Sequence, residues 1–267
     1  MLIDVHAHFW HERTPRADWD ALNRRRLAAG ERAGISVHVA SVLGSWGLTS
    51  PTYFMSPADI SFGNDWLLAY QRANPARVRG YVAVNPNFGS HALEEIDRCT
   101  AAGMIGVKLA ASRRADDPLI DPICEAARAR GLPVLHHVWQ HRRREWPGQE
   151  ASDAAELCAL GCRHPGTKFI LAHIAGGGDW LHSLPILADT PNVSVDLSGS
   201  GVDGGMLERC LDAVGAERLL WGCDLTIDTG LAKLRRLERL LGAAALDRVR
   251  WRNAASLFPA GAFPEAA

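Results

Sequence analysis

Two histidines one residue apart, His6 and His8, close a short apolar run that begins at Leu2. Strand side chains alternate faces, so both rings leave the same face, with Cα atoms about 7 Å apart. Imidazoles so placed can lean onto one metal ion at bonds of about 2.1 Å. Groups of the same kind recur down the chain: Lys108, the pair His136 and His137, His173, and Asp224. His6, His8 and one histidine of the 136/137 pair offer three neutral nitrogens, and Asp224 offers a carboxylate. A nitrogen–oxygen set with no thiolate suits one divalent metal, Zn²⁺ first, with Mn²⁺, Fe²⁺, Co²⁺ or Ni²⁺ as other occupants. Such an ion, with one position open, lowers the pKa of a bound water toward ~7 and makes a nucleophile at neutral pH.

These residues share a site only if the fold gathers them. Apolar, often β-branched runs return at 2–6, 37–42, 78–85, 105–109, 133–137, 169–173, 193–197 and 219–223. Most lack polar alternation, as parallel strands buried on both faces do. Helical patterns lie between them, at 92–99, 122–127, 154–160, 206–214 and 231–241, each followed by a glycine that stops it. Strand and helix alternating in this way predict an α/β fold, a single-domain (β/α)₈ TIM barrel over residues 1–258, with 259–267 as a short C-terminal tail. A doubly wound sheet is the rival, but the position of its glycine-rich phosphate loop holds His6-Ala7-His8-Phe9-Trp10 instead. In a barrel every candidate ligand stands at the C-terminal end of a strand, at one mouth. Asp4, two residues before His6, then lies on the same face but deeper, as a hydrogen-bond partner in the barrel floor. The stretch 46–59 reads as a long loop after the second strand, and the tail as loose.

Composition narrows the function classes. The 267 residues are 47% hydrophobic and 22% charged, as in an ordinary globular chain. The 29 basic and 30 acidic residues balance to a net charge of −1, which gives no support for a nucleic-acid partner. Arg142-Arg143-Arg144, followed by Glu145, reads as a solvated loop. No apolar stretch reaches the ~20 residues of a membrane span, and no secretory signal is seen at the start, so a cytoplasmic protein is expected. The six cysteines are dispersed, which argues against a disulfide framework. Cys158 and Cys162 read as helix packing rather than a metal clip. Nine tryptophans are many; Trp10, Trp46 and Trp139 follow strand ends and can wall a small-molecule substrate site. Gly176-Gly177-Gly178-Asp179 reads as a flexible turn before a helix. Oligomeric state is left open, a homo-oligomer included.

Seven segments in order carry a family resemblance: Ile3-Asp4-Val5-His6-Ala7-His8, Gly106-Val107-Lys108-Leu109, Leu132-Pro133-Val134-Leu135-His136-His137, Phe169-Ile170-Leu171-Ala172-His173, Asn192-Val193-Ser194-Val195-Asp196-Leu197-Ser198-Gly199, Leu219-Leu220-Trp221-Gly222-Cys223-Asp224 and Asn253-Ala254-Ala255-Ser256-Leu257-Phe258. Together they resemble the amidohydrolase superfamily, in the amidohydrolase-2 branch of aminocarboxymuconate-semialdehyde decarboxylase-like enzymes. The resemblance implies metal ligation by His6, His8, His137 and Asp224; the pattern Pro-Val-Leu-x-His selects His137 over its neighbour. It implies catalytic roles for His173, which polarises substrate or contacts the water, and for Asp224, which also shuttles a proton. Cys223 stands where the branch usually has serine. Lys108 has three readings: a carbamylated bridge between metals, a cation for a substrate carboxylate, or a lysine snorkelling at the rim. With Trp10 and Trp139 it is assigned to substrate binding. The implied activity is metal-dependent hydrolysis of a small ester, lactone or amide, the alternative being non-oxidative decarboxylation of an aromatic or unsaturated acid. The compactness of the chain tilts the choice to hydrolysis.

Overall fold

A computed structural model describes residues 1–139, 146–176, 178–201 and 203–265. Eight strands alternate with helices: β1 (Ile3–His8), α1 (Trp19–Arg32), β2 (Val37–Ser41), α2 (Pro57–Ala73), β3 (Val78–Val84), α3 (Gly89–Ala101), β4 (Gly106–Leu109), α4 (Asp121–Ala129), β5 (Pro133–His136), α5 (Ala154–Arg163), β6 (Lys168–Leu171), α6 (Trp180–Ala188), β7 (Val193–Asp196), α7 (Met206–Val214), β8 (Leu219–Leu220) and α8 (Ile227–Leu240). The strands pair in parallel in sequence order from β1 to β8. The Val5 N–H donates to the Trp221 carbonyl at 3.1 Å, and Ala7 bridges Asp224, which brings the last strand back to the first. The fold is the expected single-domain TIM barrel.

Two apolar layers follow from strand alternation. Ile3, Val5, Val39, Tyr81, Leu135, Ile170 and Leu220 fill the inside of the barrel, and Val107, Val134, Phe169 and Val195 face the helices. In β1 the register shifts between Asp4 and Ala7. This bulge turns the face: Ile3 and Val5 point inward below it, His6 and His8 point inward above it. Asp4 therefore does not share the face of His6. It lies in the layer between sheet and helices, accepting from His38 Nδ1 at 2.8 Å and Arg26 Nη2 at 3.0 Å.

Three helices escape the sequence pattern. α1 is rich in arginine, and only Asn23 and Gly30 are fully buried in it, so its apolar stripe is thin. α2 begins at Pro57, inside the stretch expected to be loop, with Ser56 Oγ accepting from the Asp59 N–H. α6 tolerates Pro185 within it. The described part of the tail is not loose: the Ala262 carbonyl accepts from Arg79 Nε, and Phe263 packs on Phe258. All six cysteines are free. The run 142–145 and Gly177 lie outside the described residues. Among the described residues no helix is long and apolar enough to cross a membrane.

Candidate metal centre at the barrel mouth

His6 and His8 are buried at the end of β1 and share one orientation logic. His6 Nδ1 donates to Asp196 Oδ2 at 2.7 Å, and His8 Nδ1 donates to the Ser41 carbonyl at 3.0 Å. With both Nδ1 atoms protonated, both Nε2 atoms present lone pairs, and these stand 3.2 Å apart. Two lone pairs at that distance repel unless a cation lies between them. Ligands at about 2.1 Å around a tetrahedral ion are roughly 3.4 Å apart, so the pair fits such an ion. Asp224 Oδ1 completes the cluster at 3.2 Å from His8 Nε2 and 4.0 Å from His6 Nε2. These three residues place their ligand atoms within 4.8 Å of one another.

His137 stands beside this cluster rather than within it. Leu135 faces the barrel interior, so alternation turns His137 inward and His136 outward. Its Nε2 is buried without a hydrogen bond, and its Nδ1 lies 3.3 Å from His173 Nε2. An unpaired buried nitrogen at the mouth is what a further metal ligand looks like before the ion is bound. The His173 ring stacks on His6 at 5.6 Å between centroids and meets His137 at 4.3 Å.

Backbone strain marks the same place. Among the described residues, four non-glycine positions have positive φ: Trp46 at 55°, Ala111 at 64°, His173 at 42° and Asp224 at 54°. Each follows an even-numbered strand, and three of them carry side chains of the mouth. Left-handed residues turn the chain out of the ladder, and such strain is retained where it aims a functional group. It brings His173 inward although Ala172 already faces the interior. At Gly222 a Cβ would come within 2.5 Å of Asp196 Oδ1, so only glycine lets β8 pass so close to the buried carboxylate.

Protonation suits metal binding. Burial pushes His8 and His137 below the ordinary imidazole range, and His173 down to about 3, so these rings are neutral at pH 7. Burial alone would raise Asp224, but its close approach to the His8, His6 and His173 rings, which favour its charged form wherever they carry a proton, holds it well below the usual carboxylate range. Asp196 is likewise held down against its own burial by hydrogen bonds from His6 and Ser198.

Lys108 is not a rim lysine. It is fully buried, with Nζ 3.3 Å from His6 Nε2, and burial pulls its amine down to about 8. Trp10 stacks on Trp46 at 4.1 Å, Trp46 sets its edge to His8 at 5.5 Å, and Trp139 lies 4.0 Å from His137. Tyr53, which sequence reasoning did not single out, bridges the His137 and Trp139 rings at 5.4 and 5.2 Å. Asp196 was also missed as a functional residue. Its signal was present in the alternating polar positions Ser194, Asp196 and Ser198 of an otherwise buried strand. Tyr81 was missed too: its hydroxyl donates at 2.7 Å to the Val5 carbonyl, at the bulge. Asp179 caps α6 itself, accepting from the His182 N–H at 3.1 Å.

The sequence profile of a family described as amidohydrolase matches residues 3–260. Solved structures of the same fold include 5-carboxyvanillate decarboxylase LigW from Sphingomonas paucimobilis, 18% identical with a TM-score of 0.71, covering 96% of this chain and 98% of that one. A dihydroxybenzoic acid decarboxylase from Polaromonas, with bound manganese and the inhibitor 2-nitroresorcinol, is 18% identical with a TM-score of 0.74 over 96% of each chain. A 2,6-dihydroxybenzoate decarboxylase from Rhizobium is 17% identical with a TM-score of 0.73, covering 96% of this chain and 98% of that one. No curated protein matches the chain.

Proposed function

The chain belongs to the amidohydrolase family, and on that premise we propose that it is a metal-dependent, non-oxidative decarboxylase of an aromatic carboxylic acid. The observation that carries this reading is the pairing of a cation-ready cluster, His6, His8 and Asp224, with an aromatic wall directly on its ligands. Manganese in the dihydroxybenzoic acid decarboxylase supports a divalent ion, and the names of the similar structures support the reaction. Compactness, which tilted the sequence reading to hydrolysis, loses its force, because those decarboxylases align over 96–98% of their own length. The order of the two readings therefore reverses.

His6, His8, His137 and Asp224 would hold one divalent ion, which supplies Lewis acidity for the substrate's charged end. The protein does the rest. Trp10, Trp46 and Trp139 take a planar ring and exclude water from it. Lys108 Nζ, at the floor, binds the reacting carboxylate and sets its direction. Asp224 is ionised at neutral pH, so it acts first as a base, taking a proton at a carboxylate oxygen from a substrate hydroxyl. It then delivers that proton to the ring carbon as the bond to the carboxyl breaks. The bonding pair stays on carbon, and CO₂ leaves. His173, neutral and fixed against His137, polarises the substrate oxygen as charge develops.

A screen of metal-loaded protein against hydroxybenzoic acids and against lactones, following CO₂ and acid production together, tests the proposal. CO₂ from the aromatic acids without lactone hydrolysis is expected. Lactone or ester hydrolysis without CO₂ would restore the hydrolase reading and overturn this one.

A further inference from the structure

A slot of about 500 Å³ opens at the barrel mouth, between the loop after β2 and the stretch that leads into α5. Trp46, Leu48, Pro51 and Tyr53 line it from the first, Trp146 and Pro147 from the second. No described residue of its lining carries a charge, so the slot suits an apolar guest rather than an ion. The hydroxyls of the β2 loop are spent within the protein. Thr49 Oγ1 donates to Asp59 at 2.5 Å, and Ser50 Oγ accepts from the Ser56 N–H at 3.2 Å.

Continuity ties this slot to the metal centre. Trp46 meets the His8 ring edge-on at 5.5 Å, and Tyr53 meets the His137 ring edge-on at 5.4 Å. The slot therefore shares two walls with the place where the reacting ring is held. Its walls are also fixed before a guest arrives. Ser45 Oγ accepts from the Thr49 and Ser50 N–H groups at 3.0 and 3.3 Å, which pins the β2 loop from within. Gly148 has a φ of 69°, and a Cβ there would run into the Phe54 side chain, so the two stretches lie against each other. A preformed slot lowers the ordering cost of binding. Leu48 and Trp146, each 54% exposed, leave apolar surface in water that a guest would cover.

We propose that this slot takes an apolar arm of the substrate, so that the preferred substrate is an aromatic acid carrying a second ring or a bulky hydrocarbon group away from its reacting carboxyl. The reacting ring lies at the metal between Trp46 and Trp139. The arm passes between Trp46 and Tyr53 and ends against Leu48 and Trp146. The proposal rests on the decarboxylase reading for the identity of the reacting end, but not for binding of the arm.

Titration calorimetry of the manganese-loaded protein with salicylate and with its 4-phenyl and 5-phenyl derivatives tests it, with CO₂ scored separately. The better of the two phenyl acids should bind at least about tenfold more tightly than salicylate, as burial of a phenyl face provides. Leu48→Ser and Trp146→Ala, both at exposed positions, should each lower that ratio by about threefold or more and leave salicylate unchanged. Trp146→Phe, which keeps an aromatic face, should retain most of the ratio. Phenyl acids no better than salicylate, no binding of any of the three, or a ratio indifferent to Leu48→Ser and Trp146→Ala overturns the proposal. So does sedimentation showing a dimer of the natural chain that falls to monomer in those two variants, because a second copy would then fill the slot. A phenyl acid bound through Leu48 and Trp146 without CO₂ release leaves the subsite standing and removes the decarboxylase reading. Release of CO₂ from salicylate with no gain from the phenyl group does the reverse.

Discussion

At the scale of single residues, each candidate ligand of β1 is held by a group that is not itself a candidate: His6 by Asp196 and His8 by the Ser41 carbonyl. Asp196 accepts from His6 Nδ1, from the Ser198 hydroxyl and from the His173 N–H, at 2.7, 2.6 and 3.2 Å. It thus selects the His6 tautomer and anchors the turn of His173 at once. Asp196→Asn should weaken manganese or zinc binding by roughly 10- to 100-fold, because an amide cannot accept from all these donors. Equilibrium dialysis against the metal reads this directly, and unchanged affinity would show that Asp196 merely fills space. The ligands themselves were legible as residue types. Their histidine and carboxylate chemistry and their strand-end positions suffice to nominate His6, His8 and Asp224. Their holders were not, because a buried aspartate or tyrosine within an apolar strand looks the same in sequence whether it supports a site or a sheet.

At the scale of elements, the decisive feature is the bulge in β1. Without it His6 and His8 would follow the parity of Asp4 and face the helices, and the apolar residues would face the mouth. Two side chains hold the irregular stretch. Asp4 Oδ1 accepts the His6 N–H at 3.2 Å and the Cys223 N–H at 2.9 Å, joining the backbones that carry His6 and Asp224. The Tyr81 hydroxyl satisfies the Val5 carbonyl. Tyr81→Phe leaves that buried carbonyl without its partner and should cost about 1–3 kcal/mol in urea unfolding, with a measurable loss of metal affinity. Full stability with weakened metal binding would assign Tyr81 to positioning alone, whereas no change in either would remove it from the account. Strand alternation was readable from the sequence, but the bulge was not. A register shift depends on what β2 and β8 offer across the ladder, and no local pattern in β1 shows it.

α8 carries a second consequence. Lys233 is buried, its Nζ donates to the Gly199 carbonyl at 2.5 Å, and burial pulls its amine from 10.5 down to about 8. The folded chain therefore gives up this proton before the unfolded chain does. Below pH 8 the buried cation counts against folding, and the deficit shrinks as pH rises from 8 toward 10.5. Relative to Lys233→Met, the natural chain should gain roughly 2–3 kcal/mol between pH 7 and pH 10. Parallel pH curves for the two proteins would refute this.

At the scale of the whole molecule, the barrel divides its labour between two ends. The base is apolar and closed: Phe258 packs against Tyr81 at 5.8 Å, and Ala262 seals the chain end onto Arg79. The mouth collects the buried histidines and Asp224, and the non-glycine residues with left-handed backbone among those described follow strands that end there. A centre of this kind links stability to metal, since the ion binds the folded chain and not the unfolded one. Excess metal at about 100 times Kd should stabilise the protein by about 2.7 kcal/mol, and a chelator should lower Tm by several degrees. The fold was legible in sequence because the β/α alternation runs the full length. α1, α2 and α6 were the exceptions: the stripe of α1 is thin, the start of α2 is hidden in a loop-like stretch, and α6 carries a proline within it. The substrate was not legible, since it depends on slots between elements that no single segment encodes.

A metal titration of the purified chain and of its His8→Ala variant, by equilibrium dialysis with elemental analysis, bears on the metal centre itself. One tightly held divalent ion per chain is expected, and none at the same free-metal concentration in the variant. A natural chain that binds no stoichiometric metal, or a variant that binds it equally well, would refute a metal centre built on His6, His8 and Asp224.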